Sequence, residues 1–249
     1  MNLLLVDLGN TRVKWATARA QGAIRLEGDR PTAKISAAWI RGLAKKWPHH
    51  HLVLASVVPK WTSSFERAFR GRATIVSGSL HSLRNHFRYP KPAELGADRI
   101  AAAIAAHAAG LFPAIIVASG TATAFTVLDA KGRFCGGAIA PGLQAQLDAL
   151  VGATAQLPAT SLKMPRSALA KSTRDAIRAG VLLNFQGGVK EIVQRLDESF
   201  PRGAKPHVIL TGGNAKLAAN ALSAPFTLRP LLVLEGLRII GERSAAAAE

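Results

Sequence analysis

The chain has 249 residues, with 32 Lys and Arg against 15 Asp and Glu for a formal charge of +17, and 49% of it is hydrophobic. That apolar share excludes a disordered chain, and no apolar run reaches the ~18 residues of a membrane-spanning helix. A single cysteine, Cys135, excludes a disulfide framework and an all-cysteine metal site, and the apolar start lacks a signal peptide's basic segment and cleavage site, so a cytoplasmic protein is expected.

Leu3-Val6 is a short apolar run that stops at Asp7 before the turn-forming Gly9-Asn10, and Val13-Thr17 reads as the returning strand of a hairpin. Ile35, Trp39 and Leu43 are spaced four apart and predict a helix over Ala33-Lys46. A buried-type strand over His51-Val58 ends at Pro59, a helix is expected over Ser63-Arg70, and Ala73-Val76 is a short strand. Tyr89, Pro90 and Pro92 make Arg88-Leu95 an irregular loop, and Asp98-Gly110 is an alanine-rich helix.

The same grammar then restarts. Pro113-Val117 is apolar, Gly120-Thr121 turns, and Thr123-Asp129 and Phe134-Ile139 read as strands. Pro141-Gly142 introduces a helix, and a long helical pattern covers Thr173 to Phe200. Val208-Leu210 is a strand that empties into Thr211-Gly212-Gly213, helical patches follow near Lys216-Leu222 and Leu234-Ile240, and a Ser-Ala tail ends at Glu249. Two β-rich halves with following helices, 1–110 and 111–249, predict a pseudo-duplicated α/β protein with a cleft between its halves.

Four stretches carry candidate chemistry. Asp7 stands at the end of a buried strand before a Gly-Asn turn, where a carboxylate can hold a hydrated Mg²⁺ beside substrate phosphates. The amides of Gly9 to Thr11 and the Thr11 hydroxyl can cradle phosphate oxygens, and Lys14 adds a compact positive charge. An Asp-capped hairpin turn explains the same spacing. Ser119-Gly120-Thr121-Ala122-Thr123 and Thr211-Gly212-Gly213-Asn214 are further strand-end turns suited to an oxyanion and to a nucleotide's ribose or base. In Leu95-Gly96-Ala97-Asp98-Arg99, Asp98 can accept the proton of an acceptor hydroxyl and Arg99 can bind a carboxylate bidentately. A helix N-cap Asp and a surface Arg are the commoner explanation of such a pair. His49-His50-His51 reads as a solvated turn entering a strand, and neither a Walker-type loop nor GxGxxG is present.

Taken in order, these stretches resemble the type III pantothenate kinases, the family of the Bvg accessory factor, within the acetate and sugar kinase, heat-shock chaperone and actin superfamily. The resemblance rests on Asp7-Leu8-Gly9-Asn10-Thr11 with Lys14, Ala55-Ser56-Val57-Val58-Pro59, and Tyr89 ahead of Leu95-Gly96-Ala97-Asp98-Arg99. It continues through Gly120-Thr121-Ala122, Gly136-Gly137-Ala138-Ile139-Ala140-Pro141-Gly142, Ser172-Thr173-Arg174-Asp175-Ala176-Ile177 and Thr211-Gly212-Gly213. It implies two ribonuclease-H-like (actin-like ATPase) domains with an interdomain nucleotide cleft, and ATP-dependent phosphorylation of pantothenate to 4′-phosphopantothenate, the first step of coenzyme A synthesis. Carried over, Asp7, Leu8, Gly9, Asn10, Thr11, Arg12, Val13, Lys14, Gly120 and Thr121 contact ATP, with Asp7 near Mg²⁺. Tyr89, Gly96, Ala97, Asp98, Arg99 and Thr173 line the pantothenate pocket, and Asp98 is the proton acceptor. The family is dimeric and uses a monovalent cation, K⁺ or NH₄⁺. Here the chain departs from the pattern: Ala118 replaces the Asp that ligates this cation, and Thr126 replaces a second Asp, which puts the cation requirement in question.

The charge, with a pI near 11.2, favours phosphates of any kind. Its carriers are dispersed, among them Arg41, Lys45, Lys46, Arg67, Arg70, Arg72, Lys163 and Arg166; no run of five like charges occurs, and aromatics are only 6%. Solvated surface is the expected role, with nucleic acid and membrane not expected as partners. The alternative to the kinase is a catalytically weak, nucleotide-binding regulatory relative.

Overall fold

Leu3, Leu4, Leu5 and Val6 are completely buried, so the opening strand has core on both of its faces. The computed structural model describes residues 1–165 and 167–246; Arg166 and the end of the tail at Glu249 lie outside them. By contact the chain falls into two units, one made of Met1–Phe112, Leu128–Gly136 and the chain from Leu231 on, the other of Pro113–Val127 and Gly137–Pro230.

In the first unit, β1 (Asn2–Leu8) and β2 (Arg12–Arg19) form the expected hairpin, and β3 (Ile24–Pro31) adds to it antiparallel. β4 (His51–Ser56) lies parallel to β1 and β5 (Ala73–Ile75) parallel to β4, giving the order β3-β2-β1-β4-β5. β3 has no fully buried residue, so no apolar alternation announces it in the sequence. α1 (Ala37–Lys46) starts where the Ser36 hydroxyl accepts the Trp39 amide at 3.1 Å. α2 (Pro59–Ala68) begins at Pro59, four residues ahead of Ser63, and β4 ends at Ser56 rather than Val58. Proline's fixed φ suits the first helical position, where its missing N–H is no loss.

Strand alternation sorts the layers. Leu4, Val6, Leu8, Leu52 and Leu54 meet Ile40 and Leu43 of α1 and Phe65 of α2. α3 (Ala97–Ala108) and α7 (Leu232–Ala246) pack together and against the sheet, α7 bringing Gly241 onto Leu3 and Val53, residues of the face opposite to α1 and α2. Their approach is close enough that a Cβ at Gly236 would run into the main chain of Ala101.

The second unit contains β6 (Ala114–Ser119), most of β7 (Ala122–Leu128) and of β8 (Phe134–Pro141), α4 (Leu143–Gly152), α5 (Thr173–Asp197), β9 (His207–Thr211), α6 (Ala215–Ala219) and β10 (Phe226–Leu228). Its sheet runs β10-β9-β6-β7-β8, the order of the first sheet with each strand in its corresponding place. Both halves are therefore ribonuclease-H-like, as expected. β10 was not expected: all three of its residues are exposed. One core joins Ile115, Val117 and Phe125 to Val181, Phe185 and Val189 of α5. Among the described residues no helix is long and apolar enough to cross a membrane.

The α3–α7 crossing yields a stability test. Gly236→Val should destabilise the protein by about 1–3 kcal/mol through overpacking, read as a lower urea midpoint with an unchanged slope. A variant as stable as the parent would show that the two helices tolerate separation there.

Candidate active site

Asp7 lies on the face of β1 shared with Leu3 and Leu5, the face opposite to α1 and α2, and is in register with Lys14 on β2 and Ala55 on β4. It keeps some exposure at the strand end. Burial, then the negative charge of Asp98, pushes its carboxyl up to about 7, while Lys14 pulls it down. The turn that follows is held from outside: the Thr32 hydroxyl donates to the Gly9 carbonyl at 2.8 Å, and the Thr32 amide to the Thr11 carbonyl at 2.9 Å. Within the turn the Gly9 amide donates to the Arg12 carbonyl at 2.9 Å. The Arg12 guanidinium pairs with Asp29 on β3 at 2.7 Å.

Asp98 is the second residue of α3, and the N-cap is Gly96, which supplies no side-chain cap. The N-cap explanation of Asp98 therefore fails. Its carboxylate folds back over the helix start, where a Cβ on Gly96 would come within 2.7 Å of the Asp98 Oδ1. Nor is Arg99 a surface side chain: it is half-buried, with its guanidinium 5.1 Å from the centroid of the Phe134 ring. Burial draws the Arg99 guanidinium below its ordinary value, against the opposing pull of Asp98 and Tyr89. Tyr89 meets the same Phe134 ring edge-on at 5.6 Å and 82°, so Tyr89 and Arg99 share one buried aromatic support. Phe134 and Thr32 are residues that sequence reasoning missed. Neither belongs to a turn or a charged motif, and each meets the site only through the closed fold.

In the second unit, three glycine-bearing stretches converge. The Gly142 amide donates to the Thr121 carbonyl at 3.1 Å and the Asn214 amide to the Ser119 carbonyl at 3.0 Å. A Cβ on Gly142 would strike the carbonyls of Gly120 and Thr121, and one on Gly212, at φ +92°, would strike Ser119. The hydroxyls of Ser119 and Thr123 flank this turn, buried and without a partner among the described residues. A phosphate-bearing ligand fits such a cradle of close backbone and small hydroxyls. Thr173 also lies in this unit, exposed at the first turn of α5 after the N-cap Ser172.

Of the remaining candidates, His51 enters β4 with its Nε2 2.8 Å from the Thr74 hydroxyl, and His49 is exposed. Among the described residues no group of three His, Cys, Asp or Glu is disposed to hold a metal. A Mg²⁺ ion fits Asp7 on other grounds. Its carboxyl is raised by burial and a neighbouring negative charge, both of which a cation offsets. At the expected monovalent-cation position Ala118 presents only a methyl group, in register with Thr211, and Thr126 is buried.

A family model described as type III pantothenate kinase matches residues 3–195. The chain belongs to the type III pantothenate kinase family. The type III pantothenate kinase of Methylacidiphilum infernorum is 36% identical over 240 residues, covering 96% of this chain and 88% of that protein. Among solved structures, a conserved Baf family protein of Campylobacter jejuni covers 98% of this chain at TM-score 0.62 and 17% identity, and is itself covered completely. A ROK family glucokinase of Streptomyces griseus, in complex with glucose and AMPPNP, covers 96% at TM-score 0.56 and 10% identity, with 99% of its own chain aligned. These two likenesses establish the fold. The span matched to pantothenate kinases takes in both carboxylates, the Tyr89–Arg99 segment and the Gly120 turn, and ends before Gly212.

The Asp7 carboxyl makes stability pH-dependent. Its folded pKa near 7 exceeds that of the unfolded chain, so between about pH 4 and 7 the folded kinase holds a proton that the unfolded chain has released. Without nucleotide or Mg²⁺, stability should fall as pH rises through that window and level off above it. Asp7→Asn should abolish that fall and gain on the order of 2 kcal/mol over the parent at pH 8, measured by urea unfolding at pH 5 and 8. Parallel pH profiles for the two proteins would show that Asp7 is not perturbed.

Proposed function

We propose that this chain transfers the γ-phosphoryl group of ATP to the 4′-hydroxyl of pantothenate, giving 4′-phosphopantothenate, the entry reaction of coenzyme A synthesis. The observation that carries this reading is the Asp98 carboxylate, set free of capping at the start of α3, acting electrostatically on Asp7 and followed directly by a supported guanidinium.

Asp98 accepts the proton of the attacking hydroxyl and fixes its direction. Arg99, carried on Phe134, binds the pantothenate carboxylate, and Tyr89 forms a wall of the same pocket. Asp7 and Lys14 meet the phosphate end, where Mg²⁺, when bound, neutralises charge on the phosphoryl oxygens. Gly120 and Thr121 contact the ATP phosphates, and the Gly212-Gly213 turn lies at the ribose or base. Leu8, Asn10, Thr11 and Val13 complete the first phosphate turn, and Gly96 and Ala97 leave room for the substrate beside α3. We place the enzyme in the cytoplasm as a homodimer, with Thr173 contributing to a pantothenate pocket.

ADP release from Mg-ATP, with and without pantothenate, tests the assignment. Turnover should require pantothenate, and Asp98→Asn should lower it by about 10²–10⁴-fold; a fully active Asp98→Asn enzyme would remove the role given to this carboxylate. With Ala118 and Thr126 in place of acidic ligands, rates in Na⁺, K⁺ and NH₄⁺ buffers should agree, and strong activation by K⁺ or NH₄⁺ would contradict this. Arg99→Ala should raise the pantothenate KM about tenfold or more with the ATP KM unchanged. An unaltered pantothenate KM would take the substrate carboxylate away from Arg99.

A further inference from the structure

Residues 32–72 carry eight Lys and Arg against one acidic residue, Glu66, so this one-sixth of the chain holds seven of its seventeen net charges. Along the sequence these cations look scattered. Folding gathers them, because α1 and α2 lie together on one face of the first sheet with Ile40, Leu43, Phe65 and Phe69 turned inward. Arg41, Lys45 and Lys46 of α1, and Lys60, Arg67 and Arg70 of α2 and its end, are exposed. Arg72 differs from them: its guanidinium donates to the carbonyls of Ala44, Trp47 and His50 at 3.3, 3.1 and 2.8 Å and closes the end of α1.

The charge on this layer is also uncompensated. On the long helices basic side chains meet carboxylates, as in Arg178–Asp175, Arg195–Glu191 and Arg238–Glu242. Among the described residues no ion pair involves α1 or α2. Like charges held close on rigid helices repel one another, and a polyanion relieves that repulsion while releasing its own counterions.

We propose that the α1–α2 layer binds the phosphodiester backbone of nucleic acid, without regard to sequence. A lipid surface fits less well. Interfacial helices insert an apolar face, whereas the apolar side chains of α1 and α2 form the core, and Trp39 and Trp61 are half-buried beneath Arg30 and Lys60. The layer presents no exposed stacking platform, so the contact is to phosphates rather than bases. It lies on the face of the first sheet opposite to that of Asp7, which leaves the kinase reaction untouched.

The test is fluorescence anisotropy of a labelled random-sequence DNA duplex and of a labelled single-stranded RNA, over about 50–200 mM KCl. Three proteins are compared: the parent, the triple variant Arg41→Glu, Lys45→Glu, Arg67→Glu, and the equally charged triple variant Lys190→Glu, Arg202→Glu, Lys205→Glu. The first triple should lose about tenfold or more in affinity for both probes and reduce the salt slope by about three, while the second changes affinity by less than about threefold. Arg41→Gln, Lys45→Gln, Arg67→Gln should fall between the parent and the first triple. Unchanged pantothenate-dependent turnover in every variant verifies that each is folded. Equal losses in the two Glu triples would overturn the proposal, reducing the effect to net charge. Binding to phosphatidylglycerol vesicles with no binding of either nucleic acid would overturn it in favour of a membrane, and binding to none of these would overturn it outright.

Discussion

At the end of β1 the Asp7 carboxyl is raised by its own burial and by the negative charge of Asp98, and the residues around it are placed with respect to that opposition. Strand alternation turns Asp7 to the face opposite to α1 and α2, and the β1–β2 register sets Lys14 across from it to offset part of the unfavourable field. Gly96 lets α3 begin without a cap, so that Asp98 folds back over the helix start. A core optimised for stability alone would place no carboxylate at this strand end. The arrangement suits a site that ordinarily contains more positive charge than the protein supplies. Such local cost is tolerated where function requires it.

The two halves share a strand order but use different chemistry. The first unit carries side chains with charge: two carboxylates, a lysine and a supported guanidinium. The second has close-packed backbone instead, with Gly142 and Gly212 pressed against the Ser119–Thr121 turn and the buried hydroxyls of Ser119 and Thr123 beside it. Ala118 extends this contrast, since β6 carries a methyl group at the point where the corresponding strand of the first unit carries Asp7. Duplicated topology thus fixes where the turns fall, and the residues placed in them decide what each turn can do.

How much of this was legible in the sequence depended on whether a feature is local. The β1–β2 hairpin reads directly, because an apolar run, a polar glycine turn and a second run are adjacent. β3 and β10 do not read, because neither buries a residue and each exists only through pairing with a neighbour already in place. The start of α2 does not read, because Pro59 closes a strand pattern and opens a helix equally well. Asp7 and Asp98 were legible as carboxylates beside glycines. The engagement of the Gly9 amide and of the Arg12 guanidinium was not, for both depend on partners fixed by the finished turn and by β3.

Phe134 shows most plainly why motif reading stops short of a site. It lies 45 positions after Tyr89 and 35 after Arg99, yet its fully buried ring supports both. A guanidinium brought into such surroundings loses hydration, and burial accordingly draws Arg99 down while Asp98 and Tyr89 oppose the change. What offsets this is the planar, weakly hydrated character of the group, which lies over an aromatic face. A lysine ammonium is compact and strongly hydrated, so it would neither rest on Phe134 in the same way nor meet a carboxylate with two parallel bonds. Arginine at position 99 is therefore favoured by a phenylalanine distant in sequence, and the setting of its charge depends on that ring.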